Sequence, residues 1–256
     1  MKFVVSSSEL LKQLSTVTGV IANNPIVPIL ENFLFQLDEG NLTITASDMQ
    51  TVMITEAQVD SSDSGSIAVP AKLLTETLRS LPEQPITVNI DEESFGVEIV
   101  TANGRFKLAG ENPLDFPRAP EVNRNFSIEL DSDVLSTSIG NTIFATSTDE
   151  LRPAMTGVYV QVDADHTTFV ATDGHRLARI DADLPENASD MPGVIVPRKT
   201  VGEMRKLLDE DGVYFCHWRT MYRVLHSVGE VRERRDQREH PRYAIPRLKA
   251  TGPNQV

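Results

Sequence analysis

The feature that most constrains this chain is an internal repeat. Pro28 to Asp48 lies over Pro153 to Asp173 at a constant offset of 125, with Pro28/Pro153, Gln36/Gln161, Asp38/Asp163, Thr43/Thr168, Ala46/Ala171 and Asp48/Asp173 identical. A second block, Val69-Pro70-Ala71-Lys72, matches Val196-Pro197-Arg198-Lys199 at offset 127, and Ser8-Glu9-Leu10-Leu11 lies over Ser132-Asp133-Val134-Leu135 at offset 124. Three blocks in one order, with drift small enough for single insertions, mean a duplicated domain and require any fold to be solved twice.

Within each copy the periodicities predict a short strand, a helix, alternating strands, a second helix and more strands. Leu10, Leu11, Leu14, Val17 and Ile21 recur at helical spacing after Ser8, the expected N-cap, and that helix turns Lys12 and Thr16 outward. Leu42, Ile44 and Ala46 alternate as in a half-buried strand, and Asn103-Gly104 signals a hairpin. The second helix of each copy begins after Val-Pro, where a missing N–H costs nothing. The expected class is α+β, with mainly antiparallel sheets and two helices per domain. The first domain is expected over 1–112 and the second over 127–212. Between them 113–126 is rich in prolines, which resist helix and ladder alike, and reads as an interdomain connector.

Charge enters because it is uneven. The whole chain carries −13, which repels nucleic acid at long range. Residues 1–212 hold 15 Lys+Arg against 33 Asp+Glu, whereas 213–256 hold 9 against 4. No apolar run approaches the ~18 to 20 residues of a membrane span, the N-terminus lacks a secretory pattern, and the single cysteine, Cys216, cannot form an internal disulfide. Cytoplasmic location and no membrane partner are the expectations.

Asp163, Asp165, His166, Asp173 and His175 offer oxygen and imidazole donors and raise a metal-dependent phosphoesterase as an alternative. Their spacing fits no ligand motif. Asp163 and Asp173 recur as Asp38 and Asp48 without the histidines, which favours capping of strand-end turns. Cys216, His217, His226 and His240 lack zinc-site spacing. No metal, no cofactor and no catalytic residue are expected.

The N-terminal Met1-Lys2-Phe3, Pro28-Ile29-Leu30, Asp115-Phe116-Pro117, the run Ala171-Thr172-Asp173-Gly174-His175-Arg176-Leu177-Ala178 and Val194 to Lys199 together resemble the bacterial replication sliding-clamp family, the beta subunit of DNA polymerase III. The resemblance covers about 1–212 in order. It implies a clamp fold, three such domains per chain joined head to tail as a homodimeric ring, and a processivity factor without catalysis. It also implies a cytoplasmic, nucleoid-associated protein that encircles double-stranded DNA without reading its sequence. The implied protein partners are the replicative polymerase, the clamp loader and repair proteins carrying clamp-binding peptides. By the same resemblance, Arg152, Met155, Thr172, Gly174, His175, Arg176 and Leu177 form the peptide-docking pocket. Lys12, Lys72, Arg79, Arg198, Lys199, Arg205 and Lys206 are then the basic residues of helices facing DNA, several of them seven apart and so on one helix face.

Departures from the family pattern also carry expectations. Asn24 and Asp149 stand where DNA-contacting members place Arg and Gln. After Gly212 the alternating strands that close the second domain, and the third domain, are not recognisable. A basic, Arg-rich tail stands there instead and reads as a frameshifted, disordered or newly DNA-binding ending. A second domain without closing strands has an open edge and low stability, and a two-domain scaffold with changed partners is the further alternative.

Overall fold

The computed structural model describes residues 1–23, 25–118, 127–149, 151–163, 165–183, 191–208, 213–221 and 242–249; for 127–129, 191–192, 213–221 and 242–249 it describes the backbone alone. The chain divides into two compact units, Met1–Pro120 with Arg247–Val256, and Glu121–Pro246.

The first unit runs β1 (Lys2–Ser6), α1 (Ser7–Thr18), a 3-10 turn (Pro28–Glu31), β2 (Asn32–Asp38), β3 (Asn41–Ser47), β4 (Val52–Gln58), β5 (Ser64–Pro70), α2 (Ala71–Arg79), β6 (Pro85–Asp91), β7 (Gly96–Thr101) and β8 (Gly104–Ala109). Strands β4-β3-β2-β5 form one antiparallel sheet and β1-β6-β7-β8 another. Alternation explains the packing. Leu42, Ile44 and Ala46 of β3 are fully buried, and α1 contributes Leu10, Leu14 and Val17 from successive turns of one face. α1 packs on α2 and on β3 and β4, and α2 adds Leu74 and Leu78 to the core.

The second unit repeats the order: β9 (Ser127–Asp131), α3 (Ser132–Gly140), 3-10 turns at Ile143–Ala145 and Pro153–Met155, β10 (Gly157–Val162), β11 (His166–Thr172), β12 (Leu177–Asp183), β13 (Met191–Pro197), α4 (Arg198–Leu207) and β14 (Val213–Met221). Strands β12-β11-β10-β13 are antiparallel. Registers repeat as well as elements. Phe35 faces Ile44 in the first unit and Val160 faces Phe169 in the second; Phe33 faces Val69, and Val158 faces Val196. Because a one-residue slip would turn every side chain to the wrong face, shared register means shared cores.

Several expectations are revised. α1 begins at Ser7, so Ser8 lies inside the helix rather than capping it; its hydroxyl meets Ser6 Oγ at 2.8 Å and donates to Glu83 Oε1 at 3.1 Å. The Asn103-Gly104 hairpin forms, but its two loop residues are Ala102 and Asn103, and Gly104 already pairs with Thr101. A tight hairpin with both central residues left-handed occurs instead at Glu39 (φ 43°) and Gly40 (φ 90°), joining β2 to β3.

The proline-rich connector is not free at its start. Pro113 opens a 3-10 turn whose Leu114 N–H donates to the Asn112 side chain, and Phe116 is buried against Ile29, Leu30 and Ala68 of the first unit. An apolar anchor outweighs the low ladder-forming capacity of its prolines. At the far end, where closing strands are not expected after Gly212, the backbone forms one against the first strand of the unit. β14 pairs with β9, Asp131 opposite Val213 and Leu130 opposite Tyr214, in the manner that β6 pairs with β1. Asn24 and the side chains of Cys216, His217, His226 and His240 lie outside the described residues.

Candidate functional site

The turn between β11 and β12 is built by Asp173. Its Oδ1 accepts the backbone N–H groups of His175 and Arg176, both at 3.0 Å, and its Oδ2 accepts Arg176 Nε at 2.9 Å. Thr172 Oγ1 closes the loop, accepting from Gly174 N–H at 3.1 Å and donating to Arg176 O at 2.7 Å. Gly174 adopts φ 90°, a conformation that any Cβ would strain. With its charged form held by the two backbone N–H groups and then by Arg176, the Asp173 carboxyl is lowered to about 2.

A second turn, before β10, has the same chemistry. Asp149 Oδ1 accepts Leu151 N–H at 3.0 Å, and its Oδ2 accepts Arg152 Nε at 2.9 Å. Hydrogen bonds from Arg152 and from Leu151 hold the Asp149 carboxyl below the usual carboxylate range. Arg152 O accepts Met155 N–H, and Met155 O accepts Ser147 N–H at 2.8 Å, so half-buried Met155 anchors this loop. The two turns meet. A Cβ built on Gly174 would lie 3.5 Å from Arg152 Nη1, so the Arg152 guanidinium borders the Gly174 turn.

Large apolar side chains are exposed around these turns. Leu177 is 67 % exposed, Leu151 91 % and Phe144 53 %, and the Arg176 guanidinium stands 5.7 Å from the Phe144 ring centroid. Thus Arg152, Met155, Thr172, Gly174, Arg176 and Leu177 belong to one loop cluster, and His175 is exposed on the same turn. Sequence reasoning missed Phe144 and Leu151, and read Asp149 as a departure from a DNA-contacting pattern. The recurrence Asp-x-x-Arg at 149–152 and 173–176 was the signal available for Asp149.

Lys12, Lys72 and Arg79 are exposed on α1 and α2, and Arg198, Lys199, Arg205 and Lys206 on α4. On α4, Arg198 Nη1 donates to Thr146 Oγ1 at 3.2 Å and Arg205 lies across α3, its Cζ 3.2 Å from where a Cβ of Gly140 would stand. Their shared face is therefore turned toward α3 and the turn that follows it. Lys206 pairs with Glu203 at 2.7 Å, and exposed Lys199 precedes buried Thr200.

The donors of the phosphoesterase alternative are separated. Asp163, Asp165 and His166 stand at the start of β11, whereas Asp173 and His175 follow its end, ~20 Å away at a strand rise of ~3.3 Å per residue. His166 Nδ1 meets Asp165 Oδ1, Asp163 accepts from Gln161 Nε2, and Asp173 is committed to its turn. Asp48 caps the equivalent turn of the first unit by accepting from Gln50 and Thr51 N–H, which matches the role expected of the Asp48/Asp173 pair; Asp38 instead accepts from Ser64 Oγ and Asp163 from Gln161 Nε2.

Two units of paired helices on antiparallel sheets, repeated in register, define a DNA-clamp fold. Structures with this fold include the sliding clamp of Bartonella birtlesii bound to griselimycin (35% identity, TM-score 0.79, 84% of this chain and 59% of that one) and the DNA polymerase III beta subunit of Pseudomonas aeruginosa (30%, 0.79, 84% and 59%). Residues 1–120 match the N-terminal domain of the DNA polymerase III beta subunit, and residues 129–216 match its central domain, a match that continues past Gly212. The beta sliding clamp of Caulobacter vibrioides is 34% identical over 217 residues, covering 83% of this chain and 58% of its own length. That of Halalkalibacterium halodurans is 30% identical over 221 residues, with 82% and 58% covered. The chain belongs to the DNA polymerase III beta subunit family, and spans a little under three fifths of the length of these relatives.

Proposed function

We propose that this chain carries the polymerase-tethering portion of a sliding clamp. Its second unit docks short peptides of the replicative polymerase, the clamp loader and repair proteins, and the clamp encircles duplex DNA as a head-to-tail homodimer at the nucleoid. Tethering requires no chemistry of its own. The observation that carries the reading is the assembly, on the second unit, of Arg152, Met155, Gly174, Arg176 and Leu177 around exposed Phe144 and Leu151. Adaptable apolar side chains with guanidinium groups at the rim suit several peptides that share an apolar anchor.

DNA is held by topology on this reading, which reconciles it with a charge of −13. The acidic body discourages fixed binding, while Lys12, Lys72 and Arg79, with Arg198, Lys199, Arg205 and Lys206, supply weak phosphate contacts that salt screens.

Titration calorimetry with griselimycin, the ligand of the Bartonella birtlesii clamp, tests the docking reading. Binding that is weakened roughly tenfold or more in Arg176→Ala supports it; no binding, or binding unchanged in that variant, contradicts it. Retention on nicked circular DNA, released by linearisation, tests the ring; a chain released equally from both forms contradicts encirclement.

A further inference from the structure

We propose that Asp149 and Asp173 are a matched pair of positioning residues that set Arg152 and Arg176 to read a carboxylate on the docked peptide; the proposal rests on the docking reading above. The two clamps are superposable in their chemistry. In each, Oδ1 accepts the N–H two residues on at 3.0 Å and Oδ2 accepts the Nε of the arginine three residues on at 2.9 Å. Each guanidinium is therefore gripped by its inner edge, which leaves its terminal amino groups directed away from the clamp. Both arginines are half exposed or more, and among the described residues their terminal amino groups make no hydrogen bond to a carboxylate or carbonyl. Arg152 Nη1 reaches the Gly174 turn that Asp173 holds, so the two forks flank one short stretch of surface beside Phe144, Leu151 and Leu177.

A free arginine side chain spreads over many rotamers and loses that freedom on binding; a clamped one has lost it beforehand. The carboxylates thus raise selectivity even though they lower the net charge of the site. Charge neutralisation and positioning predict opposite signs, which makes the role testable. If Asp149 and Asp173 only neutralise, removing a carboxylate improves the binding of an acidic peptide, most of all at low salt. If they position, removal weakens it at every salt concentration.

The test uses the full chain and two fluorescein-labelled peptides that differ at one position, one carrying a single Asp beside two apolar residues and the other Asn. Asp149→Asn and Asp173→Asn each keep an Oδ1 for the backbone turn and lose the carboxylate, and thermal melting confirms that both are folded. The native chain is expected to prefer the Asp peptide by roughly tenfold, the scale of one charge-assisted hydrogen bond. Each variant is expected to lower that preference to about threefold or less at both 50 and 300 mM salt. A variant that binds the Asp peptide more tightly than native, or keeps the full preference, overturns the positioning role while leaving docking intact. Failure of both peptides to bind the native chain overturns the docking reading and this inference with it.

Discussion

The same turn occurs twice in this molecule and has been put to two uses. After β3, Asp48 Oδ1 accepts the N–H groups of Gln50 and Thr51; after β11, Asp173 Oδ1 accepts those of His175 and Arg176. In both, the residue after the aspartate is left-handed, Met49 at φ 73° and Gly174 at φ 90°. The fourth residue differs. Thr51 is buried, whereas Arg176 projects outward over Phe144. Backbone hydrogen bonds preserve the turn in each copy, and on the docking reading proposed above the side chain beyond the cap distinguishes the two surfaces. Duplication supplied the scaffold, and on the docking reading divergence at its loops supplied the site.

The comparison breaks most visibly if the two units do not have separate cores. Ile44 and Phe169 occupy equivalent core positions, and truncation to Ala is expected to cost about 2–5 and about 3–5 kcal/mol respectively. Native-state hydrogen exchange should show protection lost in the first unit for Ile44→Ala and in the second for Phe169→Ala. Loss spread evenly over both in either variant would show a single cooperative core. Next in size, Arg176→Ala is expected to weaken peptide docking by roughly tenfold, as expected for one charge-assisted contact. Met49→Ala at the matching turn should leave docking unchanged; anisotropy titrations compare the two directly.

Smaller effects sharpen the backbone side of the comparison. Gly174→Ala forces a Cβ into a left-handed conformation and is expected to cost about 1–2 kcal/mol, while Met49→Gly relieves the same strain and gains up to about 1 kcal/mol. Denaturant midpoints of the two variants should therefore move in opposite directions.

The smallest effect is a dependence on acid. The Asp173 carboxyl is lowered to about 2, so its folded value lies below the unfolded value near ~3.9. Its contribution is complete above about pH 4 and is lost as pH falls through about 2, because the unfolded state then binds the proton more readily. Carbon-detected NMR of the Asp173 carboxyl should give a midpoint near 2, and Arg176→Ala should raise it. An unshifted midpoint in the native chain would remove the clamp from the account.

How much was legible beforehand follows from which interactions are local. The duplicated order of strands and helices could be read because periodicity and the offset are properties of the chain itself, and the Asp48/Asp173 caps because an aspartate bonds to residues two and three positions on. The Ser8 cap was misplaced because β1 passes directly into α1, leaving no loop residue to mark the boundary. The Glu39-Gly40 hairpin was missed since glutamate is an uncommon left-handed residue there. Phe144 escaped notice because its contact with Arg176 joins residues far apart in sequence, and no local pattern encodes it. The direction of Arg198 and Arg205 toward α3 depends likewise on packing between helices distant in the chain.

The central claim is that two copies of one fold differ in having and lacking a docking site. Amide chemical-shift mapping of the full chain with a clamp-docking peptide tests it most directly. The account predicts shifts at 144–155 and 172–177 in the second unit and none at 26–31 or 48–51 in the first. Equal perturbation of both turns, or shifts confined to the first unit, would contradict it.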